Sequence, residues 1–158
     1  MTGKIAVGGI TRKDDLVLIR ILGASAGHCV SGRSLTELGN KGINVTCVTS
    51  FMDKDGLNNI CFAVGAQDLD QTLGILQSLE DDIQASKIEY ERRCSAVSIY
   101  GPHFAERPAI AGRVFDTMGK AEVEILMIST SFATVSFVTR EDQAIQAVTK
   151  LNDVFLVP

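Results

Sequence analysis

The chain has 158 residues, of which 46% are apolar and 22% are charged, and this balance excludes an intrinsically disordered protein and fits one ordinary domain or two small ones. The formal net charge of -4, without a basic stripe, argues against a nucleic-acid partner. No apolar run has the length of a membrane span or the pattern of a signal peptide, so we expect no membrane partner either.

The first half of the chain is predicted to follow the order strand, helix, strand, strand, helix, strand. Branched apolar runs and period-two alternation indicate the strands, and apolar residues at helical spacing indicate the helices. Gly23 ends the first strand, while Asn40 and Gly42 end the first helix, as these residue types often do. The predicted elements lie at 16–22, 30–39, 43–49, 59–64, 68–84 and 88–91, with a hairpin turn at 53–56.

The same order of elements recurs after residue 94, with a period of about 80 residues. Gly23 corresponds to Gly101, and Asn44 and Val45 correspond to Glu124 and Ile125. Pro108 is predicted to occupy the first turn of a helix, where its missing N–H costs nothing. The predicted elements of this second copy lie at 96–101, 108–120, 123–130, 132–139 and 140–151.

One predicted strand, over residues 4–10, has no partner in the first copy, and the second copy ends in only a short apolar run. The economical solution is that this strand completes the second copy. A central unit (residues 15–92) is then inserted into a terminal unit (residues 3–14 and 93–158). The alternative is an extra edge strand on the central unit. Either way the sequence predicts an α+β fold with two ferredoxin-like βαββαβ units, each with two helices on one face of its sheet.

The cysteines and histidines give little sign of catalysis or metal binding. Cys29, Cys47, Cys61 and Cys94 lack the paired spacing of zinc sites and disulfide frameworks, which favours buried, reduced thiols in a cytoplasmic protein. His28 and Cys29 are an adjacent base and nucleophile, but no third group that would orient them is identifiable. We therefore expect no metal, no cofactor and no catalytic residue, with a small enzyme as the remote alternative.

Several segments resemble the regulatory region of aspartokinases. They are Ala96-Val97-Ser98-Ile99-Tyr100-Gly101, Arg107-Pro108-Ala109, residues 125–131 with the specific run Ile128-Ser129-Thr130-Ser131, residues 135–138, Val7-Gly8-Gly9-Ile10 and Gly42-Ile43-Asn44-Val45. The chain is therefore identified as similar to a tandem ACT region of that family without its kinase domain. The resemblance implies two ACT units, the first inserted into the second, that bind an amino acid of the lysine or threonine class at unit interfaces and regulate an enzyme.

The chain departs from the family pattern at two places that bear on ligand binding. The Asp, Pro and Gly found after the first strand in many relatives are replaced by residues 25–29, and Glu122 and Glu124 stand where the second unit often has Asn. A carboxylate accepts hydrogen bonds only and repels an effector carboxylate, whereas an Asn both donates and accepts. We therefore expect the half of the site at Asn44 to be the more competent one.

The loop from Gly23 to Cys29 is the strongest candidate for ligand binding, because its small side chains are expected to leave backbone N–H groups open for a carboxylate. The alternative is a tight turn that binds no ligand. By resemblance, the effector-binding residues are Gly23, Ser25, Ala26, Gly27, His28, Cys29, Asn44, Val45, Glu124, Ile125 and Ser129. The expected partners are a second copy of the chain, a separate kinase chain and a small amino acid. The alternative function is an interaction or dimerisation module that has lost effector binding.

Overall fold

The computed structural model describes residues 3–25 and 30–158. The chain forms two compact units, the central unit Asp15–Arg92 and the terminal unit built from Met1–Asp14 and Arg93–Pro158. The elements are β1 (Ile5–Ala6), β2 (Gly9–Ala24), α1 (Val30–Asn40), β3 (Val45–Met52), β4 (Asn58–Gly65), α2 (Leu69–Ser78), α3 (Glu80–Ile83), β5 (Lys87–Tyr100), α4 (Ile110–Lys120), β6 (Ile125–Thr130), β7 (Thr134–Arg140), α5 (Glu141–Val154) and β8 (Phe155–Leu156). The main sheet is antiparallel and is accompanied by helices, which confirms the predicted α+β class.

The sheet of the central unit has the strand order β3-β4-β2-β5. Antiparallel pairing places Val45 opposite Val64 and Val64 opposite Val17 at one end of the sheet. At the other end, Met52 and Ala24 both pair with Asn58. The bulge between Thr46 and Val48 leaves Cys47 with a φ of 52°, so the edge strand β3 is locally twisted. These registers decide which candidate residues can share a ligand.

One face of the central sheet is covered by helices because their apolar residues recur every three or four positions. Helix α1 buries Val30 and Leu38, and α2 buries Leu69 and Leu76. They pack with the strand residues Val17, Ile19, Ile21, Ile60, Phe62 and Val64 into one apolar core. This burial stabilises the central unit, and β3 packs against the core through Val45 at one of its ends.

The predicted single helix over 68–84 is wrong, because α2 and α3 are separated at Leu79. The Ser78 hydroxyl donates a 2.6 Å hydrogen bond to the Ile75 carbonyl oxygen. The Leu79 N–H donates to the same Ile75 oxygen and also to the Leu76 carbonyl oxygen, each at 3.2 Å. A serine that competes for a helical carbonyl weakens the helix at that turn, and periodicity of apolar residues does not register this competition.

The hydroxyl of Thr72 in α2 is fully buried and has no hydrogen-bond partner among the described residues. Thr72→Val keeps the branched shape and removes the unsatisfied group, so we expect a gain of about 1 kcal/mol in the free energy of unfolding. Chemical denaturation measures this gain. The control is Thr149→Val, whose exposed hydroxyl donates to the Ile145 carbonyl and which should change stability by less than about 0.5 kcal/mol. A destabilised Thr72→Val protein would contradict the expectation.

The terminal unit has the strand order β2-β5-β7-β6, and β1 pairs in parallel with β8 beside it. Its core takes Val114 and Met118 from α4 and Leu151 from α5, and the Phe115 and Phe137 rings meet edge to face at 6.2 Å. A Cβ on Gly9 would lie 2.7 Å from the Tyr100 ring. Glycine at this position therefore allows the ring to pack directly on the N-terminal segment.

Three predicted boundaries in and around the terminal unit need correction. Pro108 lies before α4 rather than in its first turn, because Ala109 adopts a φ of 80° and turns the chain before Ile110. The separate strands predicted at 88–91 and 96–101 form the single strand β5, and residues 4–10 are divided between β1 and β2. The polar residues of β5 carry no apolar pattern, but backbone pairing keeps them in one strand. In β2 and β5, Asp15 and Arg93 each have a φ of 58°.

Candidate functional site

Gly23 at the end of β2 is held by its backbone. Its N–H donates to Asn59 Oδ1 at 3.0 Å, and the Ser86 hydroxyl and N–H donate to its carbonyl oxygen at 3.1 and 3.2 Å. Its φ of 61° and a distance of 2.6 Å from an added Cβ to Ser86 Oγ require glycine here. The expectation of an open N–H at Gly23 is therefore wrong.

Ser25 is exposed and contacts Gln84, which follows α3. Its N–H donates to the Gln84 carbonyl oxygen at 3.2 Å, and its hydroxyl donates to Gln84 Oε1 at 3.1 Å. The N–H of Ser25 is thus also occupied, and the hydroxyl is the group best placed to exchange its partner for a ligand. The predicted site residues Ala26, Gly27, His28 and Cys29 lie outside the described residues.

Asn59 is a buried polar residue that sequence analysis missed. It is 8% exposed, and its amide Nδ2 donates to Asp53 Oδ2 and to the Leu57 carbonyl oxygen, both at 3.3 Å. Asp53 Oδ1 in turn accepts from the N–H groups of Asp55 and Leu57 at 2.9 and 3.0 Å. The signal in the sequence was an Asn within the apolar run of β4, six residues after the turn aspartate.

The hydrogen bonds around Asp53 favour its charged form. The Leu57 N–H has the largest effect on the pKa of Asp53, and the Asn59 and Asp55 donors act in the same direction against desolvation. The pKa of Asp53 is therefore lowered from its ordinary value, so this carboxylate remains an acceptor at neutral pH. The turn thus keeps a fixed negative group beside Asn59.

Asn44 and Val45 lie at the opposite end of the central sheet from Gly23. Val45 is level with Val17, whereas Ala24 is at the other end of the β2–β4 ladder. At about 3.3 Å per residue the two ends are separated by roughly 20 Å. The Asn44 side chain is exposed and has no hydrogen-bond partner among the described residues. No single amino acid can contact both Gly23 and Asn44 of one unit.

Glu124, the counterpart of Asn44 in the terminal unit, is tied to its surroundings. Its Oε2 accepts from Arg140 Nε at 2.8 Å, its N–H donates to Gln143 Oε1 at 3.0 Å, and its carbonyl accepts from the Thr139 hydroxyl at 2.6 Å. The hydrogen bond and the charge of Arg140 lower the pKa of Glu124. The expected repulsion of a ligand by Glu124 is thus partly offset by Arg140, but the carboxylate is also already engaged.

Ile125 and Ser129 occupy different positions along β6. Ile125 pairs with Thr139, whereas Ser129 pairs with Ser136, whose hydroxyl lies 2.7 Å from that of Ser98. Ser129 therefore belongs to a row of serines across three strands, separated from Glu124 by roughly 15 Å of strand. The terminal unit does not bring Ser129 together with Glu124 and Ile125.

The cysteines differ in burial. Cys94 is fully buried, but Cys47 and Cys61 are only half-buried, which corrects the expectation of buried thiols for these two; all three are free of disulfides. Over residues 3–25 and 30–158, no group of three or more Cys, His, Asp or Glu side chains is arranged to hold a metal ion. The same part of the chain contains no helix long and apolar enough to cross a membrane.

Comparison with known proteins relates the whole chain to aspartokinases. Residues 97–155 match the ACT domain family. Aspartokinase 2 of Bacillus subtilis is 32% identical over 98% of this chain, which spans 38% of that relative's length. One chain in the crystal structure of aspartokinase alpha and beta subunits is 27% identical with a TM-score of 0.84, and 94% of this chain matches 98% of that one.

A further solved structure shares the fold at lower sequence identity. The regulatory subunit of aspartate kinase from Thermus thermophilus, in its ligand-free form, superposes with a TM-score of 0.85 at 20% identity, over 96% of this chain and 99% of that subunit. The predicted resemblance to a tandem ACT region of aspartokinases is confirmed.

Proposed function

We propose that the chain is a non-catalytic regulatory module that binds an amino acid of the lysine or threonine class, because residues 97–155 match the ACT domain family and nearly the whole chain is similar to aspartokinases. The observation that carries the proposal is the match to one chain in the structure of aspartokinase alpha and beta subunits. The match covers nearly the full length of both this chain and that one. A chain of that size and fold supports a regulatory role in a kinase assembly.

The proposal includes the domain arrangement and the partners. Residues 15–92 are a first ACT unit inserted into a second one, which residues 3–14 and 93–158 form. The partners are a second copy of the chain and a separate kinase chain, and the assembly works in the cytoplasm, which the reduced state of Cys47, Cys61 and Cys94 supports. Effector binding then favours one arrangement of units, and the kinase responds to that shift.

The effector site that we propose is composite and lies between two central units. Strand β3 forms the edge of its sheet, carries no charged residue and exposes Phe51 and Met52, each by 62%. Two such edges paired antiparallel about a twofold axis would bring the Met52 end of one copy beside the Val45 end of the other. The Ser25 end of one unit and Asn44 of its partner then lie at the same end of the joined sheet, three strands apart. The separation along the strands is removed, and a ligand with its contacting side chains has to span only the distance across them, roughly 14 Å at about 4.8 Å per strand.

Within this site, Asn44 is proposed as the group that recognises the amino acid. Its amide is exposed and can donate to a carboxylate and accept from an ammonium group. Glu124 at the equivalent terminal position is engaged by Arg140 and Gln143. This asymmetry supports an effector site in the central unit and a structural role for the α4–β6 connection in the terminal unit.

A thermal-shift panel of the common amino acids tests the proposed function. A ligand at about 100 times its Kd adds roughly 2.7 kcal/mol to the stability of the folded state, and we expect a saturable rise in Tm of about 2–4 °C per kcal/mol with lysine or threonine. Cadaverine at the same ionic strength, which lacks the carboxylate, is the control for lysine. No saturable shift with any amino acid would contradict effector binding and favour the interaction module.

A further inference from the structure

We propose that Asn59 is a positioning residue that couples the β3–β4 turn (residues 53–56) to the Gly23 end of the candidate site. The part of this inference that concerns ligand response rests on the proposed function, but the coupling itself does not. Asn59 lies between the two segments and bonds to both, with Oδ1 facing Gly23 and Nδ2 facing Asp53. It therefore forms a continuous polar connection between segments separated by 30 residues of sequence.

The connection is specific because each end uses a different atom of one buried amide. Asn59 Oδ1 can only accept and Nδ2 can only donate. Gly23 supplies the donor at one end, and the carboxylate of Asp53 and the Leu57 carbonyl supply acceptors at the other. Rotation of the amide by half a turn would oppose donors to donors and acceptors to acceptors, so the two segments select a single orientation of Asn59.

The terminal unit ends the corresponding strand without such a side chain, and Gly101 there does not share the positive φ of Gly23. The Gly101 N–H, which corresponds to that of Gly23, donates to the Ala133 carbonyl oxygen at 2.9 Å. A backbone acceptor is therefore sufficient to end this strand in the fold. Burying an amide is costly unless its hydrogen bonds are made, so the central unit depends on Asp53 and Gly23 together, whereas the terminal unit does not.

The consequence is that a displacement at Gly23 reaches the surface of the hairpin. Asp53 Oδ1 organises the turn by accepting from Asp55 and Leu57, and Oδ2 faces Asn59. Phe51 and Met52, the two most exposed apolar side chains of β3, directly precede the turn. A ligand that moves Gly23 changes the distance from its N–H to Asn59 Oδ1. The resulting shift of Asn59 is then transmitted through Nδ2 to Asp53 and the turn.

Amide hydrogen exchange in Asp53→Asn tests the coupling without any ligand. The new side chain keeps an oxygen for Asp55 and Leu57 but opposes an NH2 group to Asn59 Nδ2, so it removes only the link. We expect the Gly23 amide to exchange about tenfold faster, the effect of weakening roughly one hydrogen bond. The matched control is Asp55→Asn, whose side chain is exposed and should leave Gly23 unchanged. The buried Phe62 amide reports global stability.

A titration with lysine or threonine, followed by amide chemical shifts, tests the ligand response. In the wild type we expect shifts at Asp55 and Leu57 that saturate with the effector, and in Asp53→Asn we expect those turn shifts to fall at least fivefold while binding persists. If Asn59 has only a structural role, the ligand-induced shifts at Asp55 and Leu57 should be the same in Asp53→Asn as in the wild type. Unchanged Gly23 exchange in Asp53→Asn overturns the coupling whether or not an amino acid binds. Absence of binding with accelerated Gly23 exchange overturns the proposed function alone.

Discussion

An equimolar mixture of the Ser25→Asp and Asn44→Ala proteins is expected to have about a quarter of its amino-acid sites intact, although neither variant alone has an intact site. In a twofold dimer with composite sites, each variant damages both sites of its own dimer. Random exchange makes half of the dimers mixed, and each mixed dimer has one site with two intact halves. We expect each single variant to bind about 10- to 100-fold more weakly, because a charge-assisted hydrogen bond is lost or a carboxylate is repelled.

Isothermal titration calorimetry of the mixture, after the two proteins have exchanged subunits, gives the number of sites. Asn152→Ala is the control, because Asn152 is exposed on α5 and lies far along the chain from the central unit. A mixture that recovers no sites, although mixed dimers form, would place the whole site within one copy and contradict the composite arrangement. If either single variant binds the amino acid with wild-type affinity, the substituted residue, Ser25 or Asn44, does not belong to the site.

Phe137→Ala is expected to lower the free energy of unfolding by about 3–5 kcal/mol, whereas Phe132→Ala should change it by less than about 0.5 kcal/mol. Phe137 is fully buried in the terminal core and meets Phe115 edge to face, so its removal leaves a cavity and ends an aromatic contact. Phe132 lies in the β6–β7 turn and is 87% exposed. The two substitutions remove the same ring from neighbouring sites that differ in burial.

Urea denaturation gives the free energy of unfolding of both variants and thermal unfolding gives their Tm, each followed by circular dichroism. The Phe137→Ala protein should lose about 2–4 °C of Tm for each kcal/mol, a total of roughly 10 °C. Phe137→Leu, which fills part of the cavity, should recover some of this loss. Equal effects of Phe132→Ala and Phe137→Ala would contradict the assignment of the terminal core, and would point to a contact that buries Phe132 in solution.

The order of elements could be predicted because hydrophobic periodicity and glycine positions reflect local constraints. Gly23 ends β2 with a positive φ, and Val30 to Leu38 occupy one helical face, as the pattern indicated. The break at Leu79 escaped prediction because it depends on a hydroxyl that competes for a carbonyl. The full length of β5 also escaped, since its polar central residues carry no apolar pattern and only pairing keeps them extended.

The candidate site was less predictable than the fold because it depends on register. Gly23 and Asn44 are near in sequence, but α1 returns the chain along the sheet and places Asn44 at the opposite end. Occupation of the Gly23 N–H could not be anticipated, since its acceptor Asn59 comes from a different strand. Residue types indicated what the chemistry could be, whereas hydrogen bonds between distant segments decide which groups remain available.

The positions of the two tyrosines have a spectroscopic consequence. The chain has no tryptophan; Tyr90 belongs to the central unit, where the Arg92 guanidinium lies 5.7 Å from its ring, and Tyr100 lies on Gly9 in the terminal unit. Each unit therefore contains its own intrinsic fluorophore. Tyr90→Phe leaves emission from the terminal unit alone and Tyr100→Phe leaves emission from the central unit alone. Unlabelled protein can thus show whether the two units melt together or in sequence.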